Sequence, residues 1–299
     1  MGDDNLKAFQ LNQLENYFMN EDYETIYLAT SKDFQHQFEL NTFINVCSSF
    51  KQGITNLEKI SEKDWFGTTQ VVWMDENKEK TIFLAYDQNQ GIIGFYLKPF
   101  VTYPTDQQWT KNNYRMPICD EWFVYWGGTN EFENYHYAYE NQRYAYDLVQ
   151  VKNGKTYHGT NLINENYYAF GTNVVAPFYG KVVKVVDGLK DNIPGEMDGK
   201  NSAGNYVIIL HPNKEYSMIA HFKKDSIVVK KGETVNEGQL IGQCGNSGNS
   251  SEPHIHFQVM DDPSLNLGKS IRIQFQDQSE PVQGDRVKPL PYHSNKIDT

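Results

Sequence analysis

The sequence predicts two architectures in series, an N-terminal α+β domain and a C-terminal all-β domain. Three observations carry this. Apolar residues recur at helical spacing only within about the first fifty positions. Four short strand-like runs follow, separated by polar turns such as Asp75-Glu76-Asn77. Beyond residue 118 helical periodicity gives way to many short strands punctuated by Gly, Asn, Asp and Pro. Length and composition agree: 299 residues exceed one typical core, and 20 tyrosines with 17 phenylalanines favour strands.

Three helices open the chain. Leu6, Phe9, Leu11, Leu14, Phe18 and Met19 define the first, and the periodicity continues over 23–38 and 41–50. Asn41 or Thr42 serves as N-cap of the third, and Gly53 stops it. An antiparallel meander is expected at 56–61, 68–74, 81–86 and 92–97, completing a domain over 1–100. By element order this unit resembles the nuclear transport factor 2-like domains. Its one histidine, His36, is expected to be solvated or structural. Residues 101–118, with Pro104 and Pro117, read as a linker that also opens the next domain. The second domain, 119–299, is expected to place strands at 121–126, 135–139, 144–151, 174–176, 181–186, 206–210, 216–222, 226–229, 240–242 and 255–260. A polar tail runs from about Asp277.

Composition excludes several functions. A net charge of −11 gives no footprint for nucleic acid and no attraction to anionic membranes. Cys47, Cys119 and Cys244 match neither zinc-finger spacing nor a disulfide framework. No apolar run approaches the roughly 18 residues of a membrane span. No signal peptide opens the chain, and the abrupt start Met1-Gly2-Asp3-Asp4 fits a leader that has been replaced.

The chemistry concentrates at S-E-P-H-I-H-F, residues 251–257. In a strand, His254 and His256 share a face about 7 Å apart, so one can bind a metal while the other handles a proton. Ordered blocks precede them: A-P-F-Y-G-K-V-V-K-V-V at 176–186, G-N-Y-V-I-I-L-H at 204–211, Y-S-M-I-A-H-F at 216–222, V-V-K-K-G-E-T-V-N-E-G-Q-L-I-G at 228–242, and G-Q-C-G-N-S-G-N-S from 242. This series, over about residues 130–260, resembles the lysostaphin/LytM family of zinc metallopeptidases, which cut peptide bonds in peptidoglycan. The resemblance implies an antiparallel sheet with an open groove, one zinc ion, and Asp147 and His256 among its ligands. It implies His221 and His254 as the unligated catalytic pair, peptidoglycan peptides as substrate, and an extracytoplasmic or secreted location. Three N/O ligands plus water would form an open catalytic site. His211, His158 and His293 are expected to be structural or solvated.

The family's H-x-x-x-D motif is broken here, because Arg143 stands where the first ligand histidine belongs. Arginine cannot ligate zinc. At about 5 Å its charge would repel Zn²⁺ by roughly 6–7 kcal/mol at an effective dielectric near 20. Arg143 must therefore turn away, or pair with Asp147 in place of the metal. Upstream, N-Y-H-Y-A-Y-E at 134–140 offers His136 as a substitute ligand. A tight turn near Tyr139-Glu140 would set it opposite Arg143 in a hairpin. Two functions remain open: a zinc endopeptidase, or a metal-free descendant acting as a cell-wall binding or regulatory module.

Overall fold

In the computed structural model, residues 9–89 and 91–290 are described. Two compact units divide the chain at Val101/Thr102. The part of the first predicted helix at Leu6, and His293, lie outside the described residues.

The N-terminal unit has a few short helices followed by an antiparallel sheet. Among the described residues it has four α-helices where three were expected: α1 (Leu14–Met19), α2 (Tyr23–Leu28), α3 (Lys32–Gln37) and α4 (Leu40–Lys51). The segment expected as one helix over 23–38 breaks at 29–31 because its backbone is taken by a strand. Ile92 N–H donates to the Ala29 carbonyl (2.9 Å) and Ser31 N–H to the Ile92 carbonyl (2.7 Å). Ser31 then caps the next helix by accepting from Phe34 N–H at 3.2 Å. The α4 N-cap is Glu39, not Asn41 or Thr42. Strands β1 (Leu57–Trp65), β2 (Thr68–Asp75), β3 (Lys80–Tyr86) and β4 (Ile92–Pro99) pair in sequence order as the expected meander. Phe18, Ile26, Cys47, Ile82 and Leu84 fill the core between helices and sheet. His36 is exposed.

The second unit begins earlier than the expected boundary. The segment 101–118 is not a linker: β5 (Trp109–Tyr114) pairs in parallel with β15 (Ser270–Phe275). Asp106 is buried and accepts from the Tyr137 hydroxyl (2.7 Å) and the Tyr144 hydroxyl (2.8 Å). Its Pro and Asn content marks a turn built into the domain, not a tether.

Between these strands lie β6 (Trp122–Trp126), β7 (Tyr146–Val149), β8 (Asn173–Val175), β9 (Gly180–Val186), β10 (Asn205–Leu210), β11 (Tyr216–Phe222), β12 (Thr234–Val235), β13 (Leu240–Gln243) and β14 (Ile255–Met260). After β15, β16 (Arg286–Val287) returns to pair with β6, so part of the expected polar tail is sheet. The main path runs β12-β9-β10-β11-β14-β7-β6-β16, with β8 and β13 as a separate pair. Residues 226–229 are not a strand. Residues 135–139 form a 3-10 turn instead of a strand.

Strand alternation sorts the sheet into two faces. Val207, Ile209, Ile219, Ile255, Phe257 and Val259 join the large core. Tyr206, Ile208, Met218, Ala220 and Met260 pack on the other side. His256 and Gln258 alternate with Phe257 and Val259, so they share Met260's face, away from the large core. Each fully buried aliphatic or aromatic side chain contributes about 1.5–3 kcal/mol, so the sheet is a rigid mount for whatever that second face carries.

His211 is structural, as expected. It is buried edge-on to Tyr114 and Phe178. Its Nδ1–H donates to the Tyr179 carbonyl (2.8 Å), so Nε2 accepts from the Ser217 hydroxyl (2.7 Å). Burial pushes its pKa down to about 4. A base depressed by folding stabilises fully above its unfolded pKa near 6.5, and that stability is lost as pH falls toward the folded value. Between pH 6.5 and about 4 the second unit should therefore lose up to ~3 kcal/mol from this group. Urea midpoints at pH 7 and pH 4.5 measure it. A His211→Gln variant should show a smaller acid loss than wild type, and equal losses would refute the assignment.

Candidate active site

Asp147 and His256 meet because β7 and β14 are adjacent and the two residues are directly opposed in register. Opposed residues in an antiparallel pair share a face. Asp147 Oδ1 lies 2.9 Å from His256 Nδ1, and Oδ2 lies 3.0 Å from His136 Nε2. Among the described residues, His136, Asp147 and His256 form the cluster whose ligand atoms all lie within 4.8 Å of one another. All three are buried.

His136 arrives on a different element from the one expected. It sits in the 3-10 turn Tyr135–Ala138, within the connection from β6 to β7. Asn134 builds that turn. It is fully buried, its Oδ1 accepts from His136 N–H (3.1 Å), and its amide nitrogen lies 3.1–3.2 Å from the carbonyls of Gly128, Arg143 and Ala145. An Asn side chain turned back onto the backbone two residues on favours a turn over a strand. The alternating tyrosines 135, 137 and 139 hid this signal.

Arg143 turns away from the cluster. Its guanidinium lies 3.4 Å from the centre of the Tyr103 ring. Its Nε donates to the Tyr137 carbonyl (3.0 Å) and its Nη1 to the Thr105 hydroxyl (3.2 Å). The arginine therefore braces the connection that carries His136 and puts its charge into an aromatic cradle.

Gln258, which the sequence reading passed over, sets the tautomer of His256. Its amide nitrogen donates to the Asn141 carbonyl (2.9 Å), so its Oε1 must accept the His256 Nε2–H at 2.8 Å. Burial acts against charge on His256, but Asp147 and Gln258 more than offset it and raise its pKa. Without a metal its Nδ1 therefore holds a proton for Asp147, and when neutral it turns a lone pair toward that carboxylate. Two lone pairs 2.9 Å apart repel unless a proton or a cation lies between them. The donor set, two imidazole nitrogens and one carboxylate, suits zinc, and the outer partner on His256 orients it for ligation. Burial acts against charge on Asp147, but His136 and His254 more than offset it and hold its carboxyl well below the usual range. Burial holds His136 below the ordinary histidine value, with the Asp147 carboxylate acting the other way.

His221 and His254 border the same cluster. Their ring centres are 4.6 Å apart, and the His221 and His256 rings are 6.1 Å apart. His254 Nε2 lies 3.8 Å from Asp147 Oδ1. Each is oriented through Nδ1, His221 to the Ser247 carbonyl (2.7 Å) and His254 to the Glu252 carbonyl (2.8 Å). Both Nε2 atoms are thereby left as bases. Burial, then the neighbouring imidazoles, keep His221 well below the usual histidine pKa. His221 is aimed by a β-bulge: Asn205 pairs Phe222 and Tyr206 pairs Ala220, so His221 is the extra residue, with φ at +66°.

The glycine-rich block preceding H-I-H holds Ser247 against this bulge. Gly248 and Gly204 both have positive φ, and a Cβ on Gly248 would stand 2.3 Å from the Gly204 nitrogen. Only glycine permits that approach. Tyr125, Trp126, Tyr135, Asp147, Glu252 and His254 are among the residues of a groove of about 510 Å³ on one side of the cluster. A second hollow of about 360 Å³, with His136, His221 and His256 in its wall, lies on the other. His158 is exposed.

Residues 156–271 match the family model described as Peptidase family M23. The match contains His221, His254 and His256 and begins after His136 and Asp147. Peptidoglycan DD-endopeptidase ShyA of Vibrio cholerae serotype O1 is 45% identical over 58 residues, 19% of this chain and 13% of that protein. Peptidoglycan DD-endopeptidase ShyC of the same organism is 32% identical over 90 residues, 30% of this chain and 19% of that protein. The matched segments thus span less than a fifth of these relatives. Among solved structures, the catalytic domain of lysostaphin from Staphylococcus simulans aligns at 27% identity over 39% of this chain and 85% of that one, with a TM-score of 0.26. A zinc containing peptidase from Vibrio cholerae aligns at 19% identity over 69% and 55%, with a TM-score of 0.28. The family assignment rests on the family model and the curated relatives: residues 156–271 carry a peptidase family M23 domain, the family to which the lysostaphin/LytM resemblance pointed.

Proposed function

We propose that the second unit is a zinc-dependent endopeptidase that hydrolyses peptide bonds of bacterial peptidoglycan. The observation that carries this reading is the meeting of His136, Asp147 and His256 in one buried cluster, with His221 and His254 beside it. Zinc, when bound there, would supply Lewis-acid activation of a water and of the scissile carbonyl. His136, Asp147 and His256 would hold it. His254 and His221 would take the proton from the attacking water at Nε2 and pass it to the departing amine, steadying the charge that develops on the carbonyl oxygen.

An Arg143–Asp147 pair would support the metal-free binding or regulatory module. The stacking of Arg143 on Tyr103 removes that support. Substrate chemistry follows the curated relatives, whose names describe peptidoglycan DD-endopeptidases. On this reading the protein works outside the cytoplasm, where peptidoglycan lies. No helix among the described residues is long and apolar enough to cross a membrane. We read the two units, divided at Val101/Thr102, as separate domains, the first nuclear transport factor 2-like by element order, with no ligand assigned to it.

Metal analysis of the purified chain, with digestion of isolated peptidoglycan, tests the proposal. About one zinc per chain and release of peptide amines that a chelator stops are expected. A chain that holds no zinc at micromolar concentration, or a zinc-loaded chain that leaves wall peptides intact, would overturn it.

A further inference from the structure

We propose that Glu252 is a specificity-determining residue that binds a primary ammonium group of the substrate beside the scissile bond. The inference rests on the endopeptidase reading and names the substrate chemistry of that same groove. Glu252 lies two residues before His254 and borders the groove that also contains Asp147 and His254. The same groove takes Tyr125, Trp126, Tyr167, Leu162 and Met197, with Asn161, Asn249 and Ser251 as neutral polar groups, and none of its described lining residues is Lys or Arg. Among the described lining residues His254 is the one basic group, and no lysine or arginine meets this carboxylate.

Its placement is fixed. The Glu252 carbonyl accepts from His254 Nδ1–H (2.8 Å) and from the Ser250 hydroxyl (2.9 Å), and Pro253 stiffens the next step. The side chain's Oε2 accepts from the Thr156 hydroxyl at 3.1 Å, and Oε1 appears in none of the described hydrogen bonds. Burial raises the Glu252 carboxyl, which is the cost of a half-desolvated acid, with His254 offsetting part of it. An incoming ammonium would meet Oε1 in a charge-assisted hydrogen bond, flanked by aromatic rings. A substrate carboxylate at this position would instead be repelled by both Glu252 and Asp147. The ammonium has two possible sources, a free α-amine or the side-chain amine of a diamino acid. Both present the same group, and the test separates them.

The zinc-loaded full chain is assayed with one synthetic wall peptide in three forms: unmodified, acetylated on the α-amine, and acetylated on the side-chain amine. Acetylation of one of these amines is expected to lower kcat/KM about ten- to a hundredfold, the size of one hydrogen bond to a charged group. Glu252→Gln keeps an acceptor for Thr156 while removing the charge. It should lose a similar factor on the unmodified peptide, keep full zinc content, and no longer distinguish the three forms. Wild type indifferent to both acetylations, or a Gln variant that still discriminates, overturns the proposal. Peptide dissociation constants, read from groove tryptophan fluorescence in both proteins, apply the same comparison without turnover. If no form is cleaved the endopeptidase reading fails, and the dissociation constants still decide the role of Glu252.

Discussion

Replacing His136 with alanine should remove zinc from the protein. A structural zinc site of four ligands binds with about 10–16 kcal/mol, so one ligand represents roughly 2.5–4 kcal/mol, or about a hundred- to a thousandfold in affinity. Peptidase activity should fall with occupancy. Arg143→Ala is the informative partner, because Arg143 occupies the sequence position where a ligand belongs yet sits on Tyr103. That variant should bind zinc as wild type does, although losing the bond to the Tyr137 carbonyl lowers its stability. Competition with a chelating dye measures both affinities. Wild-type zinc affinity in His136→Ala would end the assignment of His136 as a ligand.

Loss of His254 should separate chemistry from metal binding. His254→Ala is expected to lower kcat about 10²–10⁴-fold, the usual yield of positioned proton transfer, with one zinc still bound. His221→Ala should behave alike, since both rings are anchored through Nδ1 to main-chain carbonyls and neither is needed to complete the ligand set. Turnover under saturating peptide, with zinc measured on the same samples, checks this. Zinc lost in proportion to activity, or a change below about tenfold, would mean that the pair acts as ligand or scaffold.

The two-residue period of a strand made much of this site legible. His254 and His256 both reach Asp147, at 3.8 and 2.9 Å, because alternate side chains share a face. His136 stands out by residue type and does come beside Asp147, but on a 3-10 turn and not on a strand. Three tyrosines at alternating positions look like a strand, and only the side chain of Asn134 reveals the turn. Gln258 and Asn134 escaped notice because each acts by orienting another group, and an amide at one position carries no pattern. The N-terminal meander was plain from its polar turns, whereas the break between α2 and α3 depends on a pairing with Ile92 some sixty residues away. The strand at 109–114 was hidden by its polar residues, Thr110, Lys111, Asn112 and Asn113.

The connection between β6 and β7 gives the site an uneven durability. Asp147 and His256 belong to neighbouring strands in the middle of the sheet, and their separation requires the sheet itself to open. His136 depends instead on a looped segment fastened by Asn134, by the Tyr137–Asp106 hydrogen bond and by Arg143. Segments of this kind open locally at lower free energy than core strands do. Amide exchange should therefore divide the site in time, with protons at 127–145 trading with solvent well before those of β7 and β14. A captured ion would leave by the same local opening, at a rate set by the looped arm and not by global unfolding.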